Sequence, residues 1–286
     1  MAPDRVVAVV AAFHPDHGFA GRLEGVIGQV AATVVVDDGS ATERSGPAQV
    51  EWLRHSSNRG IAAALNTGIA RARELGATHV LTLDQDTELA VDYVATALGV
   101  FSRARGTRVG AAVADVINGT PSRPTWTTAE GLDLAPEAIQ SGMLVAVACL
   151  DAVGGFDERL VIDSVDREFC HRVRAHGWAV AIAGGAAIRH EIGRLEPLRG
   201  GGAYEWHEPF RQYYIVRNGI VVARRFRREE RQWSRAMLRS TWDEARRIVR
   251  NGPRSGRHAI ATVVGGIHGL VGRLGRLPRW LERVLR

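Results

Sequence analysis

Two short apolar runs in this chain stop in clusters of acids. TVVVDDGS, residues 33–40, ends in Asp37 and Asp38, and HVLTLDQD, residues 79–86, ends in Asp84 and Asp86. Neither run has a helical period. Both are rich in Val, Leu and Thr, and they read as strands buried on both faces. Strands of that kind belong to mostly parallel sheets covered by helices, in which ligands bind beyond the carboxyl ends of the strands. The acids fall at those ends. Because residues two apart on a strand share a side, Asp84 and Asp86 can converge on one ligand. Hard divalent cations take one or two carboxylates together with substrate phosphates, so this D-x-D can clamp a metal and a diphosphate. The competing reading is that such acids only cap turns and helix starts.

The remainder of the chain keeps the same alternation. Residues 6–13 read as a further buried strand, residues 19–29 as a helix and residues 50–56 as a third strand. From Gly60, small and apolar residues recur at helical spacing and stop at Gly76. Residues 90–103 read as helix and 109–116 as strand, and 117–137, with Pro121, Pro124 and Pro136, as loop. A turn at Ser141 and Gly142 leads into an apolar run to residue 150, read as strand. Arg167–Gly177 reads as helix, and residues 178–190 as a short strand and turn. With 286 residues and 45% hydrophobic content, this is one α/β domain plus an appendage.

The charge is unevenly placed. Residues 1–223 hold 20 Arg against 26 acids, whereas residues 224–286 hold 17 Arg against 5. The sequence has no Lys, and the two regions carry net charges of −6 and +12. An α/β domain over 1–222 and a basic helical region over 223–286 are therefore expected. In the latter, Ile260, Val263, Val264, Ile267, Leu270, Val271, Leu274 and Leu277 recur at spacings of three and four. Leu281, Val284 and Leu285 continue the pattern beyond Pro278. That is a basic amphipathic helix or two, suited either to an anionic membrane surface or to packing on the α/β domain. Cys149 and Cys170 make no disulfide scaffold, and no apolar run reaches the roughly 18–20 residues of a membrane span. A cytoplasmic protein, peripheral at most on the inner face of the membrane, is expected.

Taken in order, several motifs resemble the inverting family-two glycosyltransferases of GT-A fold, and bacterial rhamnosyltransferases in particular. They are VVVDDGS, NRGIAAALNTGIARA (58–72), LTLDQD, the run from SGMLVAVACL through GGFDERLVIDSVDREFCHRVRAHGW (141–178), and IRHEIG (188–193). The resemblance implies that Asp38, with Asp37 beside it, contacts the nucleotide base or ribose. It places Asn58 and Gly60 close to the nucleotide, and Asp84 at the ribose or a metal-bound water. Asp86 would ligate Mg²⁺ or Mn²⁺, and His190 would complete the metal site; the competing reading for His190 is an ordinary satisfied histidine. Ser141 and Gly142 would open the segment beneath the sugar.

The base is expected among the acids of IDSVD. Here Ser164 stands where an acidic pair would have its second member, which leaves Asp163 as the preferred base. Asp166 is its support or alternative, and Glu168 a distant third. Whichever of Asp163 and Asp166 is not the base is a natural helix cap. Arg172 pairs with an acid or a diphosphate, or is solvated. Trp206, His207, Tyr213, Tyr214, Arg217 and Asn218 are either acceptor-side residues or core.

The reaction implied is single displacement at the anomeric carbon of a nucleotide sugar. A carboxylate takes the acceptor proton, and a divalent cation offsets charge on the departing diphosphate. The expected donor is dTDP-L-rhamnose, and the expected acceptor a saccharide or polyprenyl-linked saccharide. UDP-sugars, UDP-galactofuranose among them, are the alternative within the class. A sugar nucleotidyltransferase would instead show a glycine-rich basic loop after the first strand, where AAFHPDHGF stands. A nucleic-acid-binding protein built on the basic region would not need acids at two strand ends, so no nucleic-acid partner is expected.

Overall fold

The computed structural model describes residues 4–41, 46–190, 195–197, 203–251 and 255–285. The chain divides into two compact units. The first takes in the described residues of 1–156 and 166–191, and the second those of 157–165 and 192–286.

The first unit opens with β1 (Val6–Ala12), α1 (Phe19–Ile27), β2 (Ala32–Asp37), β3 (Val50–Arg54), α2 (Ile61–Glu74) and β4 (His79–Asp84). There follow β5 (Glu88–Leu89), α3 (Tyr93–Arg103), β6 (Val109–Ile117), and the short strands β7 (Thr120–Pro121), β8 (Trp126–Thr127) and β9 (Asp133–Leu134). It closes with β10 (Met143–Ala146), α4 (Val147–Val153), α5 (Val165–Ala175) and β11 (Ala179–Arg189). The strands line up as β3-β2-β1-β4-β10-β6-β11-β9-β8. β1 is parallel to β2 and β4, β2 to β3, and β6 to β11, while β10 runs antiparallel between β4 and β6. This is the mixed α/β architecture, with a largely parallel core flanked by helices, that the strand pattern predicts.

Register explains why the two acid-ended strands matter. Ala12 of β1 pairs with Asp37, and Ala11 with Asp84, so both acids flank the carboxyl end of β1 on one edge of the sheet. The strands can terminate in charge only because their interiors are apolar. Val7, Ala8, Val9, Val34, Val35, Val36, Val80 and Leu81 are fully buried. At roughly 1.5–3 kcal/mol per large side chain, that burial anchors the edge.

Three readings of the sequence change here. The apolar run to residue 150 is strand only as far as Ala146; Val147–Val153 is a helix, since a continuous apolar run fits a buried helix as well as a strand. Residues 117–137 carry the short strands β7, β8 and β9. β11 runs for 11 residues as far as Arg189, because a register shift between Ala183 and Ala187 absorbs the Gly184–Gly185 pair without ending the strand.

The second unit contains a two-stranded antiparallel ladder, β12 (Leu195–Pro197) with β13 (Ala203–Glu205). It also contains α6 (Pro209–Arg225), α7 (Arg231–Asn251), α8 (Ser255–Val271) and α9 (Arg279–Leu285). Residues 222 and 223, where the charge changes, lie inside α6. Its core joins Val161, Tyr213, Tyr214, Ala261, Leu277, Leu281 and Leu285. The long apolar pattern of residues 260–285 is therefore divided: Leu277, Leu281 and Leu285 are core, while Ile260, Val263, Ile267, Leu270, Val271 and Val284 are exposed.

Candidate functional site

Asp84 ends β4, Asp86 follows in the turn, and His190 comes immediately after β11. One oxygen or nitrogen from each lies within 4.8 Å of the others. His190 Nε2 is 3.9 Å from Asp84 Oδ2, and His190 Nδ1 is 3.2 Å from Asp86 Oδ1. Two carboxylates and an imidazole form a donor set for a divalent cation. The residues present fit one. Among the described residues Asp86 Oδ1 is buried and makes no hydrogen bond, only the 3.2 Å ion-pair approach to His190, a state that native proteins seldom leave uncompensated. Burial raises the Asp84 carboxyl to about 6. His190 and the Gln140 amide work against that shift, and the charges of Asp86 and Asp166 add to it. A cation between these groups would relieve the crowding.

A ring of hydrogen bonds aims these side chains. Gln140 Nε2 donates to Asp84 Oδ1 at 2.6 Å, and the Asp84 backbone N–H donates to Ser141 Oγ at 2.9 Å. Ser141 Oγ lies 2.6 Å from Thr87 Oγ1, which in turn lies 3.0 Å from His190 Nδ1. Asn118 exchanges two bonds with the His190 backbone: its amide donates to the carbonyl at 2.7 Å and its oxygen accepts the N–H at 2.9 Å. Such outer partners fix ring orientation and ligand basicity. Ser141 thus serves the D-x-D directly, through the Asp84 N–H and Thr87. Gln140, Thr87 and Asn118 were not found in the sequence. Thr87 had one available signal, its position right after LDQD, whereas Asn118 lies 72 residues from the histidine it brackets.

The acids at the end of β2 are differently placed. Asp37 Oδ1 accepts the Ser40 N–H at 2.9 Å, and Oδ2 sits 3.3 Å from Arg54 Nε. Asp38 Oδ1 accepts the Arg59 N–H at 2.8 Å and lies 2.7 Å from His55 Nδ1, and Oδ2 accepts the Gly60 N–H at 2.8 Å. Asp38 therefore holds the loop that leads into α2. Gly60, at φ +98°, is in a backbone conformation that side-chain-bearing residues avoid, and this delivers its N–H to the carboxylate. Asn58 lies half-buried in that same loop. The motif's later asparagine, Asn66, clasps Phe156 in both directions, at 2.9 and 2.8 Å, and so joins the 58–72 motif to GGF.

The IDSVD acids divide between the units. Asp166, in the first turn of α5, accepts the Arg167 N–H at 2.8 Å, and its charge reaches Asp84. Glu168 is 1% exposed and pairs with Arg172 at 2.9 Å. Arg172 also donates to the carbonyls of Val153, Gly154 and Gly155, so this arginine is structural. Asp163 belongs to the second unit, where Arg211 Nη2 lies 3.1 Å from its Oδ1. Val161, Asp163 and Ser164 all have positive φ, at 70°, 63° and 59°. That conformation is costly for non-glycine residues, above all for a β-branched one. Asn218 holds it in place: its amide donates to the carbonyls of Leu160, Ile162 and Asp163 at 3.0, 2.7 and 2.9 Å. The fully buried Arg217 reaches the Leu160 carbonyl at 2.9 Å and the Asn218 Oδ1 at 2.8 Å. Tyr213, Tyr214, Arg217, Asn218 and His207 are buried, so within this cluster the core reading prevails. The Ile192 and Gly193 of the H-x-I-G motif lie outside the described residues.

Comparison with known proteins agrees with this construction. Residues 19–140 match the family model described as glycosyl transferase family 2. Over 180 residues the chain is 28% identical to the dTDP-rhamnosyl transferase RfbF of Shigella flexneri, covering 59% of this chain and 61% of that one. The chain thus spans about three-fifths of that relative's length. Among solved structures, the mannosyltransferase PcManGT from Pyrobaculum calidifontis, in complex with GDP-Man and Mn²⁺, superposes with a TM-score of 0.57 at 15% identity. That match covers 95% of this chain and 90% of the other. TarS of S. aureus superposes with a TM-score of 0.59 at 14% identity, covering 98% and 50%. Residues 19–140 are thus similar to glycosyl transferase family 2, and the fold is similar to that of PcManGT and TarS.

Proposed function

We propose that this protein is an inverting, metal-dependent glycosyltransferase that moves L-rhamnose from dTDP-L-rhamnose to a saccharide or lipid-linked saccharide during cell-surface polysaccharide synthesis. The observation that carries the reading is the Asp84–Asp86–His190 cluster at the carboxyl edge of a GT-A sheet, with a buried oxygen on Asp86 that makes no hydrogen bond among the described residues. The choice of rhamnose rests on the ordered motifs and on the similarity to the Shigella enzyme.

In this reading Asp86 and His190 hold Mg²⁺ or Mn²⁺, and Asp84 faces the ribose or a water on the metal. When bound, the metal supplies Lewis acidity toward the diphosphate. Asp37, Asp38, Asn58 and Gly60 border the nucleoside. Their hydrogen bonds leave that wall rigid before the donor arrives, which favours orientation over induced closure. Asp163 removes the proton from the acceptor hydroxyl as its oxygen attacks. The Arg211 guanidinium, 3.1 Å away, turns that carboxylate to one side. Asp166, within electrostatic reach of Asp84, is the alternative base. A positioned base contributes on the order of 10²–10⁴-fold. A lipid-linked acceptor would bring the reaction to the cytoplasmic membrane surface.

The test is release of dTDP from dTDP-L-rhamnose with and without Mn²⁺, run beside a panel of UDP- and GDP-sugars. Metal-dependent turnover confined to the dTDP donor is expected, with Asp163→Asn losing turnover and Asp166→Asn losing less. Turnover with UDP-galactofuranose alone would move the donor assignment, and full turnover by both variants would remove the base assignment.

A further inference from the structure

α8 presents to solvent the face that a helix of a water-soluble bundle would bury. Besides the buried His258 near its start, its inward positions, Ala261, Gly265, Gly266 and Gly269, are small. Its outward positions, Ile260, Val263, Ile267 and Leu270, are 45%, 59%, 54% and 61% exposed, and Val271 follows at 72%. The cause is a close seat on α6. A Cβ at Gly265 would stand 2.7 Å from the Tyr213 carbonyl oxygen, and one at Gly269 would stand 2.9 Å from that of Arg217. Packing satisfied by glycines leaves the large side chains on the far side, in a stripe about 15 Å long from 260 to 270. Trp242 of α7, 42% exposed, widens the stripe, with its ring edge 3.6 Å from where a Gly266 Cβ would be. A continuous apolar patch of this kind marks an interaction surface.

Its surroundings are basic. Arg239 and Arg246 are exposed one turn to either side of Trp242, and α8 itself contains no acid. At the carboxyl end of the stripe lies a cavity of about 330 Å³ lined by Val221, Arg224, Arg225, Arg227, Gly269, Val271 and Gly272. Arg224 is fixed there by bonds to the Gly269 and Leu270 carbonyls. Among the described residues no helix is long and apolar enough to cross a membrane. A second copy of this chain is a poor occupant, since it would bring one region of net charge +12 against another.

We infer that α8 and Trp242 form the face by which this chain docks on an anionic lipid bilayer. Ile260, Val263, Ile267, Leu270 and Val271 enter the acyl boundary, and Arg239, Arg246 and the arginine-lined cavity engage headgroup phosphates. A helix with this division lies in the plane of the interface. The inference does not depend on which sugar is transferred.

The experiment is flotation of the full chain, without donor or metal, on vesicles of phosphatidylcholine alone and of phosphatidylcholine mixed with phosphatidylglycerol. Wild type is expected to float with the mixed vesicles and to remain behind with the neutral ones. The double variant Val263→Glu/Ile267→Glu should lose partitioning by tenfold or more. Arg239→Gln/Arg246→Gln should lose roughly twenty-five-fold, fivefold for each arginine near an anionic surface. All four positions are exposed, so circular dichroism and thermal unfolding should match wild type. Equal partitioning into both vesicle types, or undiminished binding by Val263→Glu/Ile267→Glu, would overturn the inference. So would a lipid-free dimer that Ile267→Glu separates, since the stripe would then belong to a second copy. An inactive but vesicle-binding protein would leave this inference standing and count only against the transferase reading.

Discussion

The ends of β2 and β4 carry the same written pattern, an apolar strand running into acids, yet the two sites are in opposite states. Asp37 and Asp38 are 3% and 4% exposed, and every carboxylate oxygen is met by a backbone N–H, an arginine or His55. Asp84 and Asp86 have side chains 24% and 27% exposed, and among the described residues Asp86 Oδ1 makes no hydrogen bond and meets only the His190 ring, at 3.2 Å. A satisfied buried carboxylate holds a loop, whereas an unsatisfied one waits for a ligand. The difference lies in the neighbours. β2 is followed by a loop that folds its N–H groups back on the acids, and β4 is met by a histidine from the far end of β11.

The sharpest way to break this contrast is Asp86→Ala. Turnover should fall roughly 10³-fold, the share of several kcal/mol that a Lewis acid supplies. Mn²⁺ binding by calorimetry should vanish while metal-free thermal stability holds. Asp38→Ala should do the reverse. It strands His55 and two backbone N–H groups, so unfolding should cost about 3 kcal/mol less, read from denaturant curves, with Mn²⁺ affinity kept. If Asp38→Ala lost turnover but no stability, the two strand ends would not differ as described. Thr87→Val cuts the hydrogen-bonded path from Ser141 to His190 and should lower Mn²⁺ affinity 10–100-fold. The smallest effect concerns Asp157 in the second unit. Burial works to raise its carboxyl, but bonds from Arg159 and Arg225 outweigh it and hold the group at about 2. A depressed carboxyl stabilises the fold above its ordinary value of 3.8 and loses that contribution as pH falls toward about 2. Asp157→Asn should flatten that part of the acid-denaturation curve and leave neutral-pH turnover unchanged.

The buried strands could be read from the sequence because parallel strands covered on both faces must be apolar throughout, and their acids then stand out. The same uniformity concealed the change from strand to helix at Val147, where the pattern has no face to reveal. The metal cluster was legible in its three residues. The partners that orient it were not, because Gln140, Thr87 and Asn118 act across 56, 103 and 72 residues of chain. Arg217 and Asn218 were legible as a cluster but not as core, since a fully buried arginine with no carboxylate bonded to it among the described residues runs against the usual composition of an interior.

The backward turns at Val161, Asp163 and Ser164 carry a consequence for how this protein can change. Left-handed residues cost on the order of 1–3 kcal/mol each, and they persist only where their surroundings insist on them. Here one amide, that of Asn218, grips three carbonyls in succession. Clipping that side chain would let the segment unwind into ordinary backbone and swing a carboxylate off its bearing without altering the carboxylate itself. The deep interior of the helical unit thus sets where the Asp163 carboxylate points, and replacements around Asn218 would be felt first as a change in that direction.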